Sequence, residues 1–89
     1  MIVTFTKSFE RSLRKSQSEN LVKEVVQTLI DAIEKNAKPE GLGLKKLRDG
    51  IWEIRVDLRT RVLFILLPGE VRLLLVGNHN QIKDYLKDG

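Results

Sequence analysis

The chain of 89 residues has little of what small proteins use for cross-links and metal sites. It has no cysteine, which excludes disulfides and thiolate metal sites and is typical of a cytoplasmic protein. A single histidine argues against a histidine metal cluster, and we expect neither a metal nor a cofactor. No apolar run approaches the ~20 residues that cross a bilayer, and no basic segment precedes the apolar residues of MIVTF. We therefore expect neither a membrane span nor a secretory signal.

The chain is richer in basic than in acidic residues. Lys and Arg number 16 against 12 Asp and Glu, which gives a net charge of +4. Such a balance favours an acidic partner, and nucleic acid is the obvious class. The hydrophobic fraction of 42% is typical of a globular domain. Because the chain is short and has no repeat or linker, we expect one domain over residues 1–89.

The first half of the chain predicts one strand and two helices. IVTF (2–5) is rich in β-branched and aromatic residues, as strands are. Thr6 can cap a first helix, which SQSEN (16–20) should end. Apolar residues then fill the i, i+3, i+4, i+7 pattern of a second helix over residues 21–33. NAKPEGLG (36–43) should end that helix with one proline and two glycines.

The second half changes to the period of β-strands. IWEIRVDL (51–58) alternates, and RVLFILL (61–67) is a nearly continuous apolar run, as in a strand covered on both faces. Pro68-Gly69-Glu70 predicts a turn before a further strand, VRLLLVGN (71–78). QIKDYL (81–86) predicts a short helical turn.

The predicted fold class is α+β, in the order β-α-α-β-β-β with a short C-terminal helix. The last three strands have tight connections and should form an antiparallel meander in a small, mainly antiparallel sheet. The helical hairpin must bury its apolar sides on one face of that sheet, which leaves the opposite face bare and available for a functional site. The expected core consists of Phe9, Leu13, Val22, Val25, Leu29, Ile33, Ile54, Val56 and Phe64.

One segment, WEIRVDLRTRVLF (52–64), alternates between charged and apolar residues. In an extended chain, alternate side chains lie on opposite faces. The segment therefore predicts a charged row on the bare face, with three guanidinium groups, which suit phosphate because they offer permanent charge and paired planar donors. The row consists of Glu53, Arg55, Asp57, Arg59 and Arg61.

These residues, in this order, resemble the RelE/ParE family of toxins from bacterial type II toxin–antitoxin systems. The resemblance covers nearly the whole chain and is most specific in LKKLRDGIWEIRVDLRTRVLF and VRLLLVGNHNQIKDY. No single piece is diagnostic, and the order and spacing carry the resemblance. The matching residues are Leu47, Gly50, Trp52, Ile54, Arg55, Val56, Arg61, Gly77, His79 and Tyr85.

The resemblance implies a RelE-like fold and leaves three functions open. The RelE branch consists of ribosome-dependent endoribonucleases that cut messenger RNA in the A site, whereas the ParE branch inhibits DNA gyrase without nuclease activity. A degenerate toxin that binds only its antitoxin is the third alternative. Arg61, His79 and Tyr85 together favour the nuclease. The implied partners are an acidic antitoxin, the ribosome and messenger RNA, with a monomeric toxin that assembles further only with its antitoxin.

Metal-independent RNA cleavage needs a proton acceptor for the attacking 2′-OH, positive charge near the phosphorane and a donor for the leaving 5′-oxygen. The resemblance implies that Arg61 stabilises the phosphorane and that Arg55 assists. His79 would act as general acid or phosphate ligand, and Tyr85 would stack on a base or orient the substrate. The structural alternatives are ion pairs for the arginines, a surface loop for His79 and an apolar helix face for Tyr85.

Glu53 departs from the family pattern, because a RelE-type site has lysine at this position. Its carboxylate could accept the 2′-OH proton, or it could neutralise Arg55 and weaken the site. Further basic residues near the site are expected to contact RNA phosphates without base specificity. They are Lys45, Lys46, Arg48 and, with contact to water as the simpler interpretation, Arg59.

Overall fold

The computed structural model describes residues 1–35, 43–48 and 50–88. Of the segment predicted to end the second helix, residues 36–42 lie outside this range. No helix within the described part is long and apolar enough to cross a membrane. The elements in the described residues are β1 (Ile2–Phe5), α1 (Lys7–Lys15), α2 (Glu19–Glu34), β2 (Leu44–Arg48), β3 (Ile51–Arg55), β4 (Arg61–Leu67), β5 (Glu70–Gly77) and α3 (His79–Asp88).

The five strands form one sheet in the order β1-β5-β4-β3-β2. β1 is parallel to β5, and every other neighbouring pair is antiparallel. The α+β class and the mainly antiparallel sheet are therefore confirmed. The predicted order lacks one strand, β2, which pairs with β3 at the sheet edge. Its sequence, LKKLR, hides the strand because cations on an edge strand obscure the apolar alternation, although they also protect the edge from aggregation.

The helical hairpin packs on one face of the sheet, as expected. All nine predicted core residues lie in a single apolar cluster between the helices and the sheet. Thr6 caps α1, because its Oγ1 accepts a hydrogen bond from the Phe9 amide at 3.2 Å. The same hydroxyl donates to the Leu73 carbonyl oxygen of β5 at 2.8 Å. The cap therefore also fixes the start of α1 to the sheet.

Two serines of α1 form hydrogen bonds with the backbone of β5 where β1 no longer pairs with it. β1 pairs only with the first half of β5, Glu70–Leu73. Beyond that point the Ser8 hydroxyl donates to the Leu74 carbonyl oxygen at 2.6 Å, and the Val76 amide donates to Ser12 Oγ at 2.9 Å. Backbone groups that would otherwise lack partners are thereby satisfied, and α1 is held over the end of β5.

The opposite face of the sheet is not bare, so that expectation is wrong. α3 has ten residues, longer than the predicted segment 81–86, and it packs across this face. Ile82 is buried there with Leu63 and Leu74, and Tyr85 is half-buried against them. A helix with an apolar side must bury it, and the second face is the surface available. A functional site on this face must therefore lie at the margin of α3.

β3 ends at Arg55, three residues before the end predicted from the alternation. The cause is the carboxylate of Asp57, whose Oδ1 accepts hydrogen bonds from the amides of Arg59 at 2.9 Å and Thr60 at 2.7 Å. Aspartate commonly closes turns in this way. Residues 52–64 are therefore a hairpin of two strands and a turn, and not one extended segment.

Candidate active site

The charged row predicted from the sequence is reduced to two strand arginines and one acid. Arg55 of β3 and Arg61 of β4 are register partners, so their side chains project from the same face. Asp57 and Arg59 lie in the β3–β4 turn, and their predicted place in the row is wrong because the Asp57 carboxylate binds turn amides. Like charges directly opposite each other destabilise a sheet unless another group offsets them.

That group is Glu53, two residues before Arg55 on the same face of β3. It is buried, with only 4% of its surface exposed. Its Oε1 accepts a hydrogen bond from Arg61 Nη1 at 3.0 Å, while the Arg61 side chain is 21% exposed. A buried carboxylate is costly without such a partner, so the pairing explains how Glu53 is accommodated. Glu53 thus binds Arg61, and no hydrogen bond joins it to Arg55 within the described residues.

His79 reaches the same arginine from the other side of the site. It is the first residue of α3, and its Nδ1 lies 3.5 Å from Arg61 Nη1, at the outer limit of a hydrogen bond. If Arg61 donates, Nδ1 is the unprotonated nitrogen and Nε2 carries the proton of the neutral ring. These three side chains form the Glu53–Arg61–His79 cluster.

A tight turn between β5 and α3 places His79. Gly77 is the register partner of Arg61, and Asn78 and Gln81 cap α3 reciprocally. The Asn78 amide donates to Gln81 Oε1 and the Gln81 amide donates to Asn78 Oδ1, both at 2.8 Å. A Cβ atom on Gly77 would lie 2.8 Å from Gln81 Oε1 and 3.0 Å from Gln81 Cβ. A larger residue here would therefore displace the Gln81 side chain and break the reciprocal cap.

The β3–β4 turn that leads to Arg61 is also anchored. The Ser18 hydroxyl, just before α2, donates to Asp57 Oδ2 at 2.9 Å. Hydrogen bonds from the Arg59 amide, the Ser18 hydroxyl and Thr60 hold the pKa of Asp57 below its ordinary value. The ionised carboxylate therefore fixes the turn to the helical hairpin, and with it the start of β4.

The other basic residues predicted for the site are dispersed. Lys45 is the register partner of Glu53 and lies on the face of the cluster. Lys46 is the register partner of Trp52 and projects to the face of the helical hairpin. Arg48 lines an open groove beside α3. The side chains of Lys45 and Arg55 are exposed and make no hydrogen bond or ion pair in the part of the chain that the structure describes.

Tyr85 lies apart from the cluster. It is six residues beyond His79 on α3, which corresponds to about 9 Å along the helix axis. Its ring is half-buried against the apolar residues under α3, and its hydroxyl makes no hydrogen bond within the described residues. The structure brings together Glu53, Arg61 and His79, with Arg55 beside them, but not Tyr85.

A polar cleft of about 250 Å³ opens next to the cluster. It lies between the end of α1, the β3–β4 turn and the start of α3. Lys15 and Arg59 line it, and so does Gly77, the register partner of Arg61. None of the described residues that line it is acidic. No local pattern indicated this cleft, because its walls come from three separate segments.

No protein-family model matches the chain, and no curated protein matches it in sequence. Solved structures do match it. YafQ from E. coli is 13% identical, with a TM-score of 0.69 over 90% of this chain and 94% of YafQ. YoeB from Staphylococcus aureus, solved as a dimer, is 18% identical, with a TM-score of 0.69 over 89% of this chain and 97% of YoeB.

A third match comes from an antitoxin–toxin complex. A chain of the RelB–RelE complex from Methanococcus jannaschii is 18% identical, with a TM-score of 0.69 over 92% of this chain and 96% of the other. At such identities the likeness establishes the fold. The chain has the RelE-like toxin fold, and the resemblance found in its sequence is confirmed at that level.

Proposed function

We propose that this protein is the toxin of a type II toxin–antitoxin system and a ribosome-dependent endoribonuclease that cleaves messenger RNA. The observation that most supports the proposal is the Glu53–Arg61–His79 cluster within a RelE-like fold. It combines a fixed guanidinium, 21% exposed, with an exposed imidazole 3.5 Å away. This combination supplies positive charge for the phosphorane and a side chain that can transfer a proton, which are two of the needs of metal-independent RNA cleavage.

In the proposed reaction the ribose 2′-oxygen attacks the adjacent phosphorus and the bond from phosphorus to the 5′-oxygen breaks. The products are a 2′,3′-cyclic phosphate and a free 5′-hydroxyl. The 2′-OH proton passes to a water molecule and the 5′-oxygen gains a proton from His79, so the step balances without a cofactor. Arg61 donates to the phosphorane oxygens, whose negative charge is greatest in the transition state. Arg55, in register beside it, adds positive charge.

His79 is proposed as the general acid for the leaving 5′-oxygen. As a general acid the ring acts in its imidazolium form, in which both nitrogens carry protons, and Nε2, the nitrogen that does not face Arg61, donates to the 5′-oxygen. Tyr85 is proposed to orient the substrate at the edge of α3. The remaining contacts to RNA phosphates are proposed for Lys45, Lys46, Arg48 and Arg59, without base specificity.

The proposed partners are an acidic antitoxin, the ribosome and messenger RNA in the cytoplasm. YafQ has been solved with DinJ, and YoeB with YefM as a heterotetramer. For this chain, whose net charge is +4, an acidic antitoxin is the complementary partner. An apolar groove between α1 and α2, lined by Phe5, Phe9, Leu13 and Ile30 among others, fits an amphipathic segment of it. The toxin alone is proposed to be monomeric and to assemble further only with its antitoxin.

The function is tested by expressing the protein and mapping the ends of messenger RNA by primer extension. We expect translation to stop and new ends to arise at codon boundaries, and we expect Arg61→Ala to abolish both effects. Purified protein should also cut messenger RNA on programmed ribosomes in single-turnover reactions. If replication stops first while messages stay intact, the protein is a gyrase inhibitor. Binding to the antitoxin with neither effect would identify a degenerate toxin.

A further inference from the structure

We infer that Glu53 is a positioning residue, which holds the Arg61 guanidinium ready for the scissile phosphate, and is not the base that takes the 2′-OH proton. The inference rests on the proposed function. A carboxylate in a ribonuclease site has two plausible roles, and the residue type does not choose between them. The choice follows here from burial, from the use of individual nitrogen atoms and from the charges around Arg61.

Burial argues against a base. A general base must come within about 2.6–3.2 Å of the proton it takes, directly or through one water. Glu53 is 4% exposed, and its register partner on β4, Leu63, is fully buried. Arg61 is the more accessible member of the pair, with 21% of its side chain exposed. A substrate that approaches this site therefore meets the guanidinium and not the carboxylate.

Proton transfer to Glu53 would also act against Arg61. The hydrogen bond between them, 3.0 Å long, joins opposite charges and is stronger than a bond between neutral groups. Protonation of the carboxylate would weaken that bond and leave a partly buried guanidinium without its counter-charge. The loss would occur during the step in which Arg61 has to stabilise the phosphorane. One carboxylate cannot perform both tasks well.

The hydrogen bonds of the individual Arg61 nitrogens show how Glu53 positions the guanidinium. An arginine has five N–H donors, two of them on Nη1. Both contacts of Arg61 involve Nη1, one to Glu53 Oε1 and one to His79 Nδ1. The edge formed by Nε and Nη2 makes no hydrogen bond within the described residues, and this edge is the fork that binds phosphate through two parallel bonds. Glu53 therefore holds the guanidinium through Nη1 and leaves the edge of Nε and Nη2 available for a phosphate.

The neighbouring charge explains why a fixing group is needed. Arg55 lies directly opposite Arg61 in the sheet, so the two cations repel each other. Without Glu53, repulsion and side-chain freedom would move Arg61 among several conformations, and few of them would suit the substrate. Within the cluster, His79 is then the side chain that remains to exchange protons with the substrate.

The test compares Glu53→Gln with Glu53→Ala in single-turnover cleavage on programmed ribosomes across pH. Glutamine keeps an oxygen that accepts from Arg61 Nη1 but cannot act as a base. We expect Glu53→Gln to stay within about tenfold of the wild-type rate with an unchanged pH profile, and Glu53→Ala to lose roughly 10²-fold, as when one preorganised transition-state contact is removed. A Glu53→Gln protein as slow as Glu53→Ala, with one limb of the profile lost, would show that Glu53 is the base.

A double-mutant cycle adds a second criterion. If Glu53 acts through Arg61, Glu53→Ala should slow the Arg61→Ala enzyme by less than about threefold, because the group it positions is already gone. Additive losses would overturn the inference. The matched control is Glu70→Gln, which alters a second pair of a glutamate and an arginine within the described residues, Glu70 with Arg72, also 3.0 Å apart. That variant should cleave at the wild-type rate.

A readout without RNA separates this inference from the proposed function. In NMR spectra of the protein alone, the Nη1 N–H signals of Arg61 should be slow in exchange with water in the wild type and in Glu53→Gln. They should be lost in Glu53→Ala and kept in Glu70→Gln. If the wild type cuts no RNA but shows this pattern, the proposed function fails and the positioning contact stands. Unchanged Arg61 signals in Glu53→Ala would refute the positioning role, whatever the enzyme does.

Discussion

Among the described residues, two pairs of a glutamate and an arginine have the same contact distance and different geometry. Arg72 binds Glu70 with its fork, through Nε at 3.0 Å and Nη2 at 3.3 Å, and Thr4 donates to the same carboxylate. Arg61 binds Glu53 at 3.0 Å through Nη1 alone. The pair at Glu70 is the more exposed, with 41% of the Arg72 side chain accessible against 21% for Arg61.

The difference separates a closed pair from an open one. The Arg72 fork is already occupied by a carboxylate of the same chain, so it has little to offer a phosphate. Exposed pairs of this kind contribute only about 0–1 kcal/mol to stability. The Arg61 fork is unoccupied within the described residues and is held in place by a buried anion. Two pairs of the same residue types thus differ in what they can bind.

The largest expected effect tests this difference directly. Arg61→Ala should slow cleavage roughly 10²–10³-fold, by analogy with the loss of one oxyanion donor, whereas Arg72→Ala should leave the rate unchanged. Arg61→Lys should recover little, because a point charge does not replace a bidentate fork. Single-turnover cleavage on programmed ribosomes measures all three variants. Normal cleavage by Arg61→Ala would remove the functional meaning of the open pair.

The next effect concerns His79, which lies beside Arg61 and has no counterpart at the pair of Glu70 and Arg72 within the described residues. His79→Gln should slow cleavage about 10²-fold, the lower range for a general acid, and the pH profile should lose one limb. If His79 only binds phosphate, the rate should fall while the profile keeps its shape. The measurement is the single-turnover rate between pH 5 and pH 9. Antitoxin binding serves as the control, because the fold should not change.

A smaller effect is expected at the turn that places His79. Gly77→Ala should displace the Gln81 side chain and break the reciprocal cap of α3, with a loss of about 1 kcal/mol, the usual value of a cap. Adding Gln81→Ala should cost little more, because the cap is already lost. Urea unfolding of the single and double variants measures both. Equal stability of Gly77→Ala and wild type would contradict the close approach of Gln81.

The smallest effect is the pH dependence of stability. Hydrogen bonds to Asp57, and the Arg72 and Thr4 contacts to Glu70, hold both pKa values below the ordinary 3.8 and 4.5. A lowered folded-state pKa means that each carboxylate stabilises the fold above its unfolded pKa, and that this is lost as pH falls through the folded pKa.

Asp57→Asn should therefore lower the melting temperature at pH 7 and reduce its further fall between pH 5 and pH 2. Glu70→Gln should act in the same direction. Thermal unfolding across this range measures the two variants against the wild type. A variant that loses as much stability on acidification as the wild type would show that its carboxylate makes no such contribution.

Much of the fold could be predicted because its signals are local. Thr6 caps α1, and the apolar stripe of α2 and the run of β4 lie where the periodicities indicate. Three features escaped prediction for physical reasons. β2 is an edge strand with three cations in five residues, β3 ends early at a side-chain contact of Asp57, and α3 shows only part of its apolar side in the sequence.

The candidate site divides in the same way. Residue type and order pointed to Arg55, Arg61, His79 and Glu53, and the alternation placed the first two on one face. The alternation also placed Arg59 in the row, because it is an odd-numbered residue like Arg55 and Arg61. Side chains do not alternate between two faces in a turn, and only the structure shows that Arg59 lies in one.

By itself, the sequence determined which side chains are apolar on which face, and therefore that a helical hairpin packs on a sheet. Only the tertiary structure decided which charged groups meet. Arg61 contacts Glu53, eight positions away, and His79, eighteen positions away. Periodicity describes residues that are close along one helix or strand. The contact between Arg61 and Glu53 depends instead on strand register, on burial and on which guanidinium nitrogen donates. For that reason the open fork of Arg61 is a property of the fold and not of any segment.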